Sequence, residues 1–444
     1  MTEPIVSAQA SRRRSLGADD RRIAALALPA LGALAAEPLY VLVDTAIVGH
    51  LGVDPLAALA LAGGVLSAIT VLCNFLEYGS TPKVGRLFAA GDRGAAAAMG
   101  RQAVLLGAAL GIVLALLTVA VAPELITVMG GHGRVAHLSV LYVRLAAIGL
   151  PCALVAVAAQ GYFRGVARLR RPLVVLLAGN VLNALLELWF VYGLRWGIAG
   201  SAWGTVVAQA VMAGILLTLV ARDGRRGPLV RWDVLRSLMR TGGQIFIRTG
   251  SLYASFLLAG ALLARVGTAS LAAHQIAFQL WNFLALALDA LAIAAQVLVS
   301  HALGAGEVGR ARELATRTLA SSVVVGVAFG LVLLALEPVL PHAFTGDGRV
   351  IGRVDAVWPL FAAMQPVNAA VFALDGILIG AGDTRYLALV MFPCTALVFV
   401  PVALGSYAAG WGIVGVWGAI FAFIVARLVT CGARFRGERW ALQP

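Results

Sequence analysis

The sequence predicts an all-α polytopic membrane protein: twelve transmembrane helices in two six-helix lobes related by a pseudo-two-fold axis along the membrane normal. Three observations carry this prediction. Of the 444 residues 61% are hydrophobic and 12% charged, a balance foreign to soluble domains. About twelve apolar runs recur between residues 23 and 431, each near the roughly 20 residues that cross about 30 Å of hydrocarbon. The chain also repeats itself at a shift of 215 residues.

Taken in chain order, the charges give the topology. The polar, Arg-rich opening (SRRRSLGADDRR) precedes a full-length span and does not resemble a cleavable signal peptide. Basic connections then alternate with poorly charged ones: Lys83, Arg86 and Arg93 follow span 2, and Arg164, Arg168, Arg170 and Arg171 follow span 4. Arg222, Arg225, Arg226, Arg231 and Arg236 follow span 6, Arg310, Arg312 and Arg317 follow span 8, and Arg434, Arg436 and Arg439 close the chain. This positive-inside pattern puts both termini in the cytoplasm and accounts for the net charge of +13 without a nucleic-acid partner. The loop at Arg349 and Arg353 fits least well, with Asp347 and Asp355 offsetting its charge. Cys73, Cys152, Cys394 and Cys431 lie far apart in apolar runs, which suggests packing and neither a metal site nor a disulfide framework.

In the repeat, HLGVDPLAALA (50–60) faces RVGTASLAAHQ (265–275), Gly91 faces Gly306, Pro123 faces Pro338 and Pro151 faces Pro366, while GIAG (197–200) faces GIVG (412–415). An even number of spans per half gives both halves the same orientation, the parallel-repeat plan of some secondary transporters. The expected division is a cytoplasmic tail at 1–22, an N-terminal lobe at 23–221, a basic linker at 222–237 with its boundary near residue 228, a C-terminal lobe at 238–431 and a tail at 432–444. Duplication for stability alone is the competing reading.

Polar stripes inside spans mark candidate sites, because intramembrane ionisable groups cost roughly 2.5–3.5 kcal/mol each on insertion scales. In span 1, Glu37, Tyr40 and Asp44 stand at i, i+3 and i+7, on one helix face. Pro29 and Pro38 remove backbone donors there and mark it as a candidate hinge. Span 2 carries Thr70, Asn74 and Glu77, and span 5 carries Asn180, Asn183 and Glu187 at the spacing of span 1. Desolvation and a neighbouring carboxyl both favour a protonated acid, so Asp44 with Glu187 is a candidate proton-coupling pair; hydrogen-bonded acids that only fix helix packing are the alternative. Arg248 in span 7 and Asp375 in span 10 lie at similar depths and are expected to form an ion pair in the C-terminal lobe, unless Arg248 snorkels. Arg248 is read as the single arginine deep within a span. Span 8 carries Gln275, Gln279, Asn282, Asp289 and Gln296. Glu37, Tyr40, Asn74, Glu77, Gln279, Asn282 and Asp289 are candidates for a substrate cavity; helix–helix glue would use the same residue types. The repeat counterparts of Asp44 and Glu187 are Ala259 and Val402, so ion coupling is expected in the N-terminal lobe alone.

VDTAIVGHLG (43–52), GNVLNALLELWFVYGL (179–194), ALDALAIAAQ (287–296) and LDGILIGAGDTR (374–385) resemble the multidrug and toxic compound extrusion (MATE) family, in its DNA-damage-inducible protein F (DinF) branch. The resemblance runs through nearly all of residues 20–440. It implies two six-helix lobes with a cleft between them and export of organic cations driven by inward H⁺ or Na⁺. Asp44 matches the branch's span-1 aspartate, Asn183 and Glu187 its span-5 asparagine and acid, and Asn180 the additional asparagine one turn earlier. Glu187 stands where the branch has Asp, and Gln296 where a Glu is expected.

The function expected is a secondary active antiporter exporting amphipathic, cationic compounds by alternating access, with H⁺ or Na⁺ as coupling ion, no cofactor and no metal. Tyr40, Trp281 and Phe283 could add cation–π attraction. A lipid-linked precursor flippase or organic-anion exporter is the alternative, disfavoured by the scarcity of deep arginines. No enzyme is expected, since the six histidines are scattered near loop ends. The partners expected are a small organic substrate and the lipid bilayer, and the protein is expected as a monomer in the plasma (inner) membrane.

Overall fold

In hydrocarbon a backbone amide has no partner but its own chain, so apolar runs of span length fold as helices. The computed structural model describes residues 3–223, 230–437 and 439–441, with side chains from Gly17 onward, and contains no strand among them. In order the helices are α1 (Glu3–Gly49), α2 (Val53–Cys73), α3 (Phe75–Ala89), α4 (Arg93–Val128), α5 (Gly133–Ala147), α6 (Leu150–Gly165), α7 (Arg170–Leu188), α8 (Ile198–Asp223) and α9 (Trp232–Val266). Then follow α10 (Thr268–Gly304), α11 (Val308–Leu336), α12 (Leu340–Phe344), α13 (Gly348–Ala363), α14 (Gln365–Gly380), α15 (Thr384–Pro393), α16 (Val400–Ala408) and α17 (Gly412–Arg436). Two π-helical turns interrupt the pattern, at Trp189–Gly193 after α7 and at Cys394–Phe399 after α15. Among the described residues ten segments are long and apolar enough to cross a membrane, and the bent pairs α5–α6 (53°) and α13–α14 (50°) bring the spans to twelve. Each bend is followed by a proline in the first turn, Pro151 or Pro366, which are repeat partners.

The repeat extends to backbone and packing. Left-handed backbone recurs at the 215-residue shift, at Gly52 and Gly267, Gly91 and Gly306, and Gly197 and Gly412. Ala167 and Arg195 adopt the conformation that their partners Gly382 and Gly410 adopt without a Cβ. Helices bathed in lipid gain little from hydrophobic burial against one another and associate through close packing. Gly111 of α4 therefore abuts Pro151 of α6, and Gly326 of α11 abuts Pro366 of α14. Gly161 of α6 lies against the Glu77 backbone, and Gly376 of α14 against that of Ala292 in α10. A Cβ at any of the four would collide with its neighbour.

Contacts divide the chain into two units. One is Gly32–Gly243, with α4, α6 and α3 packed around Leu76, Val84, Leu154 and Phe163. The other combines the chain up to Leu31 with the chain from Gln244 on, and its core is aromatic: Trp358, Phe361, Phe399, Trp417 and Phe423. The sequence places a tail at 1–22 and the first lobe from residue 23. In the structure α1 runs unbroken from Glu3 through Pro29 and Pro38, and its first part belongs to the second unit. Electrostatics ties it there: Asp19 pairs with Arg310 of α11, and Arg317 holds Asp20 at 2.7 Å. The boundary read near residue 228 lies outside the described residues.

Candidate functional site

The site forms where α1, α5, α7 and α8 meet in the Gly32–Gly243 unit. Seven-residue spacing on α1 and α7 turns Glu37 and Asp44, and Asn180 and Glu187, along one face of each helix. Gly204 of α8 brings that helix against the Cγ and backbone of Glu187, space that a Cβ would fill. Asp44 and Glu187 are buried, at 5% and 0% exposure. Ser201 of α8 donates to Asp44 Oδ1 at 2.7 Å, and Thr205, one turn on, donates to Glu187 Oε1 at 3.3 Å. Thr205 Oγ1 also accepts from Asn183 Nδ2 at 3.2 Å and lies 2.9 Å from the Tyr40 hydroxyl. Tyr142 of α5 is buried beside both acids. The two carboxyls face each other closely enough to share a hydrogen bond when one carries a proton. Among the described residues no hydrogen bond reaches Glu187 Oε2.

Two cavities lie along α1. The larger, about 380 Å³, is lined by Glu37, Tyr40, Asp44, Tyr142 and Thr205, with α2 as its apolar wall. The smaller, about 220 Å³, runs past Asn74, Glu77, Asn180, Asn183 and Gln160. Glu37, Tyr40, Thr205 and Gln209 line both and form the partition between them. Asn180 Nδ2 donates to the Ala36 carbonyl of α1 at 2.9 Å. Glu37 has neither a hydrogen-bond nor an ion-pair partner among the described residues, and its carboxylate faces the cavities. Glu77 is spoken for: it pairs with Arg164 of α6 at 2.7 Å, both side chains buried.

In the other unit Gln279 is exposed, and Asn282 and Asp289 are half-buried along α10. Asp375 accepts from Arg248 and, at 2.6 Å, from Arg427 of α17. This corrects the reading of Arg248 as the one deep arginine: Arg427 is 3% exposed, and Arg164, counted from sequence as a loop residue, is 4% exposed within α6. Trp281, expected to face a cation, instead packs in the core against Phe256, 4.7 Å between ring centroids. Tyr142, Ser201, Thr205, Arg164 and Arg427 were missed from sequence; the nearest signal was the four-residue spacing of Ser201 and Thr205 in an apolar span.

The triad has a further relation to the repeat. The counterparts of Arg248, Asp375 and Arg427 are Ala33, Gln160 and Met212, and all three line the smaller cavity. One half leaves open a space that the other fills with charge.

The MatE family model matches residues 29–189 and 247–404. The chain is similar to Protein DETOXIFICATION 44, chloroplastic, of Arabidopsis thaliana, 33% identical over 445 residues that cover 96% of this chain and 83% of the relative. DNA damage-inducible protein F of Escherichia coli is 27% identical over 432 residues, covering 95% and 93%. A solved structure of a Vibrio cholerae MATE transporter has the same fold, with a TM-score of 0.86 at 20% identity over 97% of this chain and 100% of that one.

Proposed function

The chain belongs to the MatE family of multidrug and toxic compound efflux transporters, and on that footing we propose that it is a secondary antiporter exchanging amphipathic organic cations for protons by alternating access. The carrying observation is the burial of Asp44 and Glu187 beside each other, each held by a hydroxyl of α8 and neither met by a cation among the described residues. Two adjacent buried carboxyls resist ionising together. Loss of the proton leaves negative charge on the wall of a cavity that already holds Glu37, and an organic cation entering there replaces the charge that departed. Cationic cargo is favoured over anionic, because the buried Arg164 and Arg427 and the half-buried Arg248 are each tied to an acid. Both termini are assigned to the cytoplasm, the membrane to the bacterial inner membrane, and the working unit to the monomer.

The test is efflux of a fluorescent lipophilic cation from proteoliposomes in Na⁺-free buffer under an imposed pH gradient. The parent should depend on the gradient, and Asp44→Asn should lose transport at normal expression. An Asp44→Asn protein that pumps like the parent would reduce the acid to a packing residue.

A further inference from the structure

We infer that Tyr192 is a positioning residue for the acid pair: its hydroxyl, clamped to the backbone of α1, sets the register of α7 and thereby the approach of Glu187 to Asp44. This rests on the reading of that pair as the coupling site.

Near the end of α1 the Leu51 amide turns back to the Val48 carbonyl, so the Ile47 carbonyl loses the amide that would ordinarily serve it. The Tyr192 hydroxyl donates to it at 2.6 Å, and His50 Nδ1 lies 2.7 Å from the preceding Ala46 carbonyl. Tyr192 reaches Ile47 because the chain after Glu187 is not an α-helix. Residue positions in an α-helix advance by about 100° each, so a residue five beyond Glu187 would stand about 140° off its face. The turn at Trp189–Gly193 closes with the Leu194 amide on the Trp189 carbonyl, five residues back. That wider winding turns Tyr192 toward α1, where its hydroxyl meets Ile47; such turns recur at functional sites.

Three rungs therefore join α1 to α7: Asn180 on the Ala36 carbonyl, the acid pair, and Tyr192 on the Ile47 carbonyl. The outer rungs are hydrogen bonds to fixed backbone, and the middle one gains or loses charge. With both ends held, the carboxyls cannot relieve their repulsion by swinging apart, and deprotonation instead loads the helix pair. The other titratable groups facing the pair are Tyr40 and Tyr142, beside the neutral Ser201, Thr205 and Asn183. Tyr192 is also 42% exposed, near Trp189 and Trp196, as an aromatic anchor at a membrane interface would be. A phenylalanine keeps the anchor and removes the clamp.

Dye efflux is measured against pH for the parent, Tyr192→Phe and Asp44→Asn, with thermal unfolding to establish that each is folded. In Tyr192→Phe the freed carboxyls repel less and take up water, so the pH of half-maximal transport should fall by about half a unit or more, while KM for the dye stays within twofold. If Tyr192→Phe superimposes on the parent while Asp44→Asn abolishes gradient dependence, the clamp is refuted and the coupling pair stands. If the parent ignores the gradient, or Asp44→Asn retains it, the coupling reading fails and the clamp fails with it.

Discussion

Asp375→Asn removes the carboxylate that Arg248 and Arg427 share, and its cost can be set from burial. Asp375 is 2% and Arg427 3% exposed, while the Arg248 side chain is 15% exposed. Removing one partner of a buried pair costs about 3–5 kcal/mol, because the survivor keeps its desolvation penalty without its compensation. For a unit of some 200 residues each kcal/mol moves the melting temperature by about 2–4 °C, so the expected fall is about 6–20 °C. Unfolding in detergent, followed by tryptophan fluorescence, reports on the right core, since Trp358 and Trp417 are both buried in this unit. Replacing the whole triad separates charge from shape: Arg248→Met, Asp375→Leu and Arg427→Met together remove all three of its charges at similar volume, an exchange that is often neutral. Methionine is also what the first half carries opposite Arg427, at Met212. The triple variant should melt within a few degrees of the parent. A single variant as stable as the parent, or a triple variant as unstable as the single, would refute the reasoning.

Two other outcomes are expected. Glu37→Gln should raise KM for a lipophilic cation about twofold to fivefold, as for a solvent-accessible ion pair, and leave the pH midpoint of efflux in place; a shifted midpoint would move Glu37 into the coupling pair. Gly376→Ala drives a Cβ into the Ala292 carbonyl and should destabilise its unit by about 1–3 kcal/mol, whereas Gly418→Ala, with open space around it, should melt like the parent.

The spans, the repeat and the acid pair were legible because each is periodic. Apolar runs of fixed length, a constant 215-residue shift, and polar residues seven apart in apolar surroundings all leave a pattern in one dimension. The hydroxyls that complete the site leave none. A serine or threonine in a membrane helix ordinarily bonds its own preceding turn, as Thr318 does to Leu314 and Thr70 to Leu66, and nothing in sequence separates those from Ser201 and Thr205. Arg164 and Arg427 were hidden differently: Arg164 lies in the last turn of α6, where basic residues are expected to reach for headgroups, and Arg427 lies inside α17 with no periodic polar partner on its helix. Only the packing reveals that each turns inward to an acid. The π-turn at Trp189–Gly193 falls in a run of bulky apolar residues that reads as plain helix.

The same duplication kept two sets of constraints to different degrees. Contacts that build the fold recur in both halves: Gly111 on Pro151 with Gly326 on Pro366, and Gly161 on residue 77 with Gly376 on residue 292. The site does not recur. Asp44, Tyr142, Ser201 and Thr205 are matched by Ala259, Val357, Val416 and Ile420, all buried in the aromatic core of the second unit. Charge follows the same division. Asp375 is paired with two guanidinium groups, so its charge is already met within its own half. Among the described residues no ion pair reaches Asp44 or Glu187, and in the exchange proposed above a proton and the cationic cargo balance their charge in turn. Such an exchanger needs both to compete for one balance, and the Gly32–Gly243 unit leaves that balance open.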